Sequence, residues 1–312
     1  MVKEITFSYT VDDGDKIFAR KWIEEDLETP KAIVQIAHGM AEHIKRYDDF
    51  AEELVANQLF VFGNDHRGHG MTGQTNNNLG FLAEKDGFET VVTDMYALTK
   101  QIKEQYPNVP IILFGHSMGS FLSRRYIQMH GEELDGVILS GTNGDPGFAV
   151  KLGKMIAKRE VKKIGAITAS PTLNKLTIGS YNKRFQPART DADWLTRDQN
   201  EVDKYIDDPL CGRIMSAQFY YDLLDGIETI NKKANVASIP KHLPVFFIAG
   251  DQDPVGQFGK GVTKTYQAFK SAGIKDVTCK LYPGARHEIL NETNRKEVYE
   301  DVLNWLDEHI KK

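Results

Sequence analysis

Ile111-Ile112-Leu113-Phe114-Gly115-His116-Ser117-Met118-Gly119 runs from four consecutive apolar residues straight into a G-x-S-x-G turn, and residues 121–130 continue in helical spacing. A short uninterrupted apolar run marks a strand buried on both faces, and a helix that follows with no linker makes the turn between them sharp. A serine held in such a turn keeps its hydroxyl clear of the sheet. The flanking glycines let the helix pack closely, and the helix start aims backbone N–H groups at the space in front of the serine. This strand, turn and helix is the setting a nucleophilic serine needs, and it singles out Ser117.

Outward from this stretch the same pattern repeats. Apolar runs at 32–37, 59–63, 137–139 and 245–249 alternate with helical spacing at 47–57, 87–106, 262–272 and 296–310. Such alternation predicts a doubly wound α/β fold with a mostly parallel central sheet. Residues 4–11 and 16–23 alternate with a period of two on either side of Asp12-Asp13-Gly14-Asp15, which predicts an antiparallel hairpin ahead of that sheet. The alternation stops near Thr142 and resumes at Pro244. Residues 1–142 and 244–312 are therefore expected to form the core, and 143–243 a helical lid inserted into it. Charge divides the insertion: residues 150–190 hold ten Lys or Arg against the single acid Glu160, whereas 191–208 hold seven acids against Arg197 and Lys204.

The 312 residues are 41% apolar and 27% charged, which fits a globular chain and excludes disordered and collagen-like classes. A net charge of −5 lacks the basic footprint of a dedicated nucleic-acid binder. Cys211 and Cys279 form neither a disulfide framework nor a Cys-x-x-Cys pair, and the polar start MVKEITFSYT contains no signal-like apolar run. The expectation is a reduced, cytoplasmic protein without a membrane span.

With the serine at an elbow of this kind, an acid and then a histidine should follow in the chain. Of the nine histidines only His287 and His309 qualify. His309 lies in the last turn of a terminal helix, where it favours the helix dipole; His287 follows the strand-like 277–282 and the turn Pro283-Gly284, on a loop, and is the predicted base. The acid belongs on the loop Gly250-Asp251-Gln252-Asp253-Pro254. Asp253, farther from the strand end and fixed by Pro254, is preferred over Asp251, which otherwise caps the turn. A second oxyanion donor is expected from the loop His38-Gly39-Met40-Ala41-Glu42-His43, so that the Met40 and Met118 amides face one oxygen. Glu42 and His43 are candidate contacts to a polar part of the substrate; Glu42 equally suits a cap on the next helix. His66 and His69 in Asp65-His66-Arg67-Gly68-His69-Gly70 lack zinc-ligand spacing and companion ligands, so no metal is expected there. Gly259-Lys260-Gly261 fails the phosphate-loop frame.

Taken together, His-Gly-x-x-Glu-His at 38–43, Asp65 to Gly70, Gly115 to Gly119 and the late Gly-x-x-Asp and His resemble the monoacylglycerol lipase and lysophospholipase-like branch of the α/β-hydrolases, from about residue 30 to the C-terminus. The resemblance implies a serine carboxylic-ester hydrolase of monoacylglycerol or lysophospholipid esters, working through an acyl-enzyme and without a cofactor. Carried over by position, Ser117, Asp253 and His287 are the triad, Met40 and Met118 the oxyanion hole, and the insertion a lid. The implied partner is a small ester with an acyl chain. Two readings compete: an aminopeptidase or amidase of the same fold, with acids of 191–208 holding a substrate ammonium, and a binding protein that kept the fold without the activity. Lys151, Lys154, Lys158 and Lys162 recur at three- and four-residue spacing, and on a helix would present one basic face to an anionic membrane surface.

Overall fold

The computed structural model describes residues 1–310. In chain order it contains β1 (Val2–Thr10), β2 (Lys16–Glu24), β3 (Ala32–Ala37), α1 (Asp48–Ala56), β4 (Leu59–Asn64), α2 (Gly70–Thr75), α3 (Gly87–Gln105), β5 (Ile111–His116), α4 (Met118–His130) and β6 (Gly136–Ser140). After these come α5 (Phe148–Ile164), α6 (Pro171–Thr177), α7 (Gln199–Asp207), α8 (Ala217–Ile230), α9 (Lys233–Ala237), β7 (Val245–Gly250), α10 (Lys260–Ser271), β8 (Val277–Tyr282) and α11 (Arg295–Ile310). The strands form one eight-stranded sheet in the order β1-β2-β4-β3-β5-β6-β7-β8. From β4 to β8 neighbouring strands are parallel, and the β1–β2 hairpin joins antiparallel on the β4 edge. The expected α/β-hydrolase architecture, a mostly parallel sheet with an N-terminal antiparallel pair, is the one observed.

The continuous apolar runs are explained by burial on both sides. Alternate residues of one strand enter two separate cores: Leu113, Val137, Leu139 and Phe247 pack toward α3, α4 and α10, while Ile112, Phe114, Ile138 and Ile248 pack toward α1 and α11. On α11 the expected stripe, Val298, Val302, Trp305 and Leu306, is buried. The short α2 falls in a stretch, GMTGQT, whose two glycines and lack of apolar spacing give no helix signal.

Between β6 and β7 the described residues form no strand beyond one isolated bridge, Ala169 to Ser216. The two ends of this region behave differently. Helix α8 is part of the main core: Phe219, Tyr220 and Ile230 are fully buried, Gly226 lies so close to Phe88 that a Cβ would come within 2.4 Å of its ring, and Gln128 donates to the Ile230 carbonyl at 2.8 Å. Helices α5 and α6, by contrast, leave Phe148, Leu152, Met155 and Leu176 exposed. Among the described residues no helix is long and apolar enough to cross a membrane.

Candidate active site

The C-terminal ends of β3, β5, β7 and β8 converge, which is where an open α/β sheet offers a crevice. At the end of β5 the backbone turns abruptly: Ser117 adopts φ 54° and ψ −118°, a conformation costing an ordinary residue about 1–3 kcal/mol. Its surroundings enforce it. The Ser117 N–H donates to the Ser140 carbonyl at 2.9 Å, and Ser120 Oγ donates to the Ser117 carbonyl at 2.6 Å. A Cβ on Gly119 would come within 2.0 Å of the Ala37 carbonyl, and one on Gly115 within 2.3 Å of Ser123 Oγ, so both glycines of the motif are there for close packing of α4 on the strands.

His287 and Asp253 arrive from the loops after β8 and β7. His287 Nδ1 lies 3.0 Å from Asp253 Oδ2, both side chains are buried, and neither atom has another polar partner among the described residues. Asp253 Oδ1 accepts from the Val255 N–H at 2.8 Å, which fixes the carboxylate's orientation. Asp251 points elsewhere: its Oδ1 accepts from the Gly284 N–H at 2.8 Å and so braces the turn that leads to His287. The imidazole packs against the tilted rings of His116 (centroids 4.8 Å apart) and Trp194 (5.1 Å), and a Cβ on Gly141 would press within 3.1 Å of its Cε1. Burial disfavours the charged ring, but the Asp253 carboxylate outweighs burial and holds the His287 pKa above the ordinary histidine value. His309 is far from this arrangement and bonds Asp276 and the Trp305 carbonyl.

Ser117, Met118, His287, Gly39 and Met40 share the wall of one cavity of about 420 Å³, within the range of small-ligand sites. The backbone N–H groups of Met40 and Met118 donate to no atom among the described residues and are available to a ligand. The loop carrying Met40 is held from both ends. His38 Nε2 accepts from the His66 N–H at 2.9 Å, which leaves the proton on Nδ1 for donation to the Gly39 carbonyl at 2.8 Å. The Gly39 N–H in turn donates to Glu42 Oε1 at 2.5 Å.

The two side chains picked as polar substrate contacts have other partners. Glu42 reaches the cavity wall, but its carboxylate also accepts from Tyr47 Oη (2.9 Å) and Arg46 (2.6 Å), and it caps neither of the helical segments that follow. His43 does not line the cavity, and its Nε2 lies 2.8 Å from Asp208 Oδ2. Missing from the sequence reading were Arg46 and Glu288. Arg46 bridges Glu42 to a two-pronged pair with Glu288 (2.7 Å each), tying the Met40 loop to the residue after His287. Burial alone would raise the Glu288 pKa; Arg46 overrides it and takes it down to about 2. Trp194, supplied by the insertion, was also missed. The remaining histidines of the sequence motif are structural: burial lowers the pKa of His66 to about 3 and of His69 to about 4, so both are neutral packing groups. Asp65 accepts from the Ile44 and Met71 N–H groups at 2.9 and 2.7 Å.

A family profile described as serine aminopeptidase, S33, matches residues 28–294. Monoglyceride lipase of Mus musculus is 28% identical over 302 residues, 96% of this chain and 89% of that one. Monoacylglycerol lipase of Mycolicibacterium smegmatis is 27% identical over 283 residues, 90% of each chain. A thermostable carboxyl esterase from Bacillus coagulans, solved in complex with glycerol, superimposes with a TM-score of 0.91 at 32% identity and covers 98% of this chain and 99% of its own. The chain belongs to the serine aminopeptidase S33 family of α/β-hydrolases.

Proposed function

We propose that this carboxylic-ester hydrolase cleaves single-chain lipid esters, monoacylglycerols or lysophospholipids, with Ser117 as nucleophile, His287 as general base and Asp253 as the residue that orients it. The observation that carries the reading is that His287, with the buried Asp253 3.0 Å behind it, shares the wall of an apolar cavity with Ser117. Ser117 Oγ attacks the ester carbonyl as His287 takes its proton, and the Met40 and Met118 amides stabilise the oxyanion. His287 then protonates the departing alcohol, and afterwards activates the water that releases the fatty acid. Val150, Leu152, Ile156, Leu173 and Ile227 give the acyl chain an apolar channel between the elbow and the surface. Residues 143–243 serve as the lid, with α8 as the part of it that packs on the core.

The aminopeptidase reading loses its main support here. Among the described residues none of the acids at 191–208 lines the cavity. Asp208 faces His43, Asp198 caps α7 and pairs with Arg295, and Asp203 pairs with Arg189. The carboxylates that do reach the cavity, Glu42 and Glu288, are held by Arg46.

Contact with an anionic lipid surface is assigned to the exposed side of α5 and α6, where Phe148, Leu152 and Leu176 stand among Lys151, Lys158 and Lys162. Lys154 does not belong to this basic face: its Nζ is taken by Asp225 (2.5 Å) and Glu228 (2.6 Å) of α8. The test compares monoacylglycerol, vesicle-borne lysophospholipid, a short soluble aryl ester and a peptidyl amide on one preparation, with the wild type and with Lys151→Glu, Lys162→Glu. The lipid esters should be the best substrates by kcat/KM, with the double variant losing turnover of the vesicle-borne lipid and keeping the aryl ester. Faster turnover of the amide would overturn the substrate assignment. Equal rates of the two proteins on vesicles would remove the lysines from it.

The pH dependence follows from the His287 environment. Neutral imidazole is the active form, so kcat/KM should rise with pH through an apparent pKa at or above the ordinary value of about 6.5. The stability contribution has the opposite sign: with the folded-state pKa raised, it is fully present below the unfolded value and is lost as pH rises through the folded one. A rate that climbs through a pKa well below 6, typical of a carboxylate base, would contradict the role of His287.

A further inference from the structure

Beyond the hydrolytic site, we infer that His43, Asp208 and Cys211 form a binding site for a soft divalent cation of the zinc type. His43 Nε2, an Asp208 carboxylate oxygen and Cys211 Sγ all lie within 4.8 Å of one another, with His43 buried and the other two half-buried. Imidazole nitrogen, thiolate and carboxylate are the three donor types that zinc takes, and three protein ligands leave the fourth tetrahedral position to water. The local fold explains why they meet. The Cys211 N–H donates to the Asp208 carbonyl at 3.0 Å and closes a tight turn, which puts the two side chains of Asp-x-x-Cys on one side. His43 ends the Met40 loop and already reaches Asp208 Oδ2 at 2.8 Å. The Gly212 N–H donates to the Ala41 carbonyl at 2.9 Å, so the loop and the turn are in register before any cation arrives.

The thiol is protonated without metal, since burial pushes its pKa up, and binding would release that proton to solvent. A cation held here would join the loop that supplies the Met40 amide to the 208–213 turn, whose Gly212 and Arg213 line the same cavity. The site is separate from Ser117, His287 and Asp253, and the hydrolytic reaction has no use for it. What it adds is a metal-dependent clamp between lid and core.

The test is titration of the intact protein with Co²⁺, whose thiolate complexes give a near-ultraviolet charge-transfer band, followed by displacement with Zn²⁺. Wild type and Cys279→Ser should show the band saturating at one equivalent, and Cys211→Ser should lose it. Zn²⁺ at about a hundredfold excess over its Kd should raise the Tm of the wild type by on the order of 5 °C, without raising that of Cys211→Ser. Failure of the folded wild type to develop the band overturns the site, as does a band that survives in Cys211→Ser. Both readouts are independent of turnover, so they stand or fall apart from the proposed reaction.

Discussion

Replacing His287 with alanine should lower kcat by about 10⁴-fold or more in a protein that remains folded, and Ser117→Ala should do the same. The residual rate would come from the Met40 and Met118 amides and from binding alone. Because serine and histidine act as one unit, the double variant should be hardly slower than either single one, a non-additivity that independent contributions would not produce. Ser117→Ala also relieves nothing in the backbone, since the φ of 54° is imposed by the packing of Gly115 and Gly119 rather than by the hydroxyl. Circular dichroism and thermal melting would confirm the fold, and near-normal turnover in a folded His287→Ala protein would remove His287 from the mechanism.

The second large effect separates two aspartates only two residues apart. Asp253→Asn should cost on the order of 10⁴-fold in kcat, because the amide no longer stabilises the imidazolium that forms and presents a donor to Nδ1–H. Asp251→Asn should keep most of the activity. That carboxylate accepts from the Gly284 N–H and from Gln252 at 3.0 Å, so its loss costs about 1 kcal/mol of loop stability rather than a catalytic group. The reverse ordering of the two variants would move the acid to Asp251.

What could be read from the chain alone follows from how local each signal is. Strands buried on both faces leave nearly continuous apolar runs, so β3 to β7 are visible in one pass, and the elbow motif is local to nine residues. Chain order leaves only His287 and His309 as candidates for the base, and His287 is the one that lies beside Asp253. For the acid, chain position and the adjoining Pro254 favour Asp253 over Asp251, and what the sequence does not show is that the Asp253 carboxylate lies 3.0 Å from His287 Nδ1 while Asp251 turns to the Gly284 N–H.

Contacts between distant segments were out of reach. Arg46 and Glu288 are 242 residues apart and produce no periodicity. Lys154 shares its spacing with Lys151 and Lys158, and nothing in that spacing shows that Asp225 and Glu228 on α8 take it out of the basic face. The neighbours of His43 in sequence suggest a substrate contact, whereas its partner, Asp208, lies in the insertion. The His38, His66 and His69 cluster shows the converse, since burial and backbone partners make structural groups of residues that look chemical in a motif.

Whether Ser117 is the nucleophile of an ester hydrolase is tested by labelling the folded protein with a fluorophosphonate, followed by peptide mass spectrometry. A single adduct on Ser117 is expected, slowed by prior addition of a monoacylglycerol and absent from Ser117→Ala. An adduct on another residue, or a folded wild-type protein that takes up no label, would contradict it.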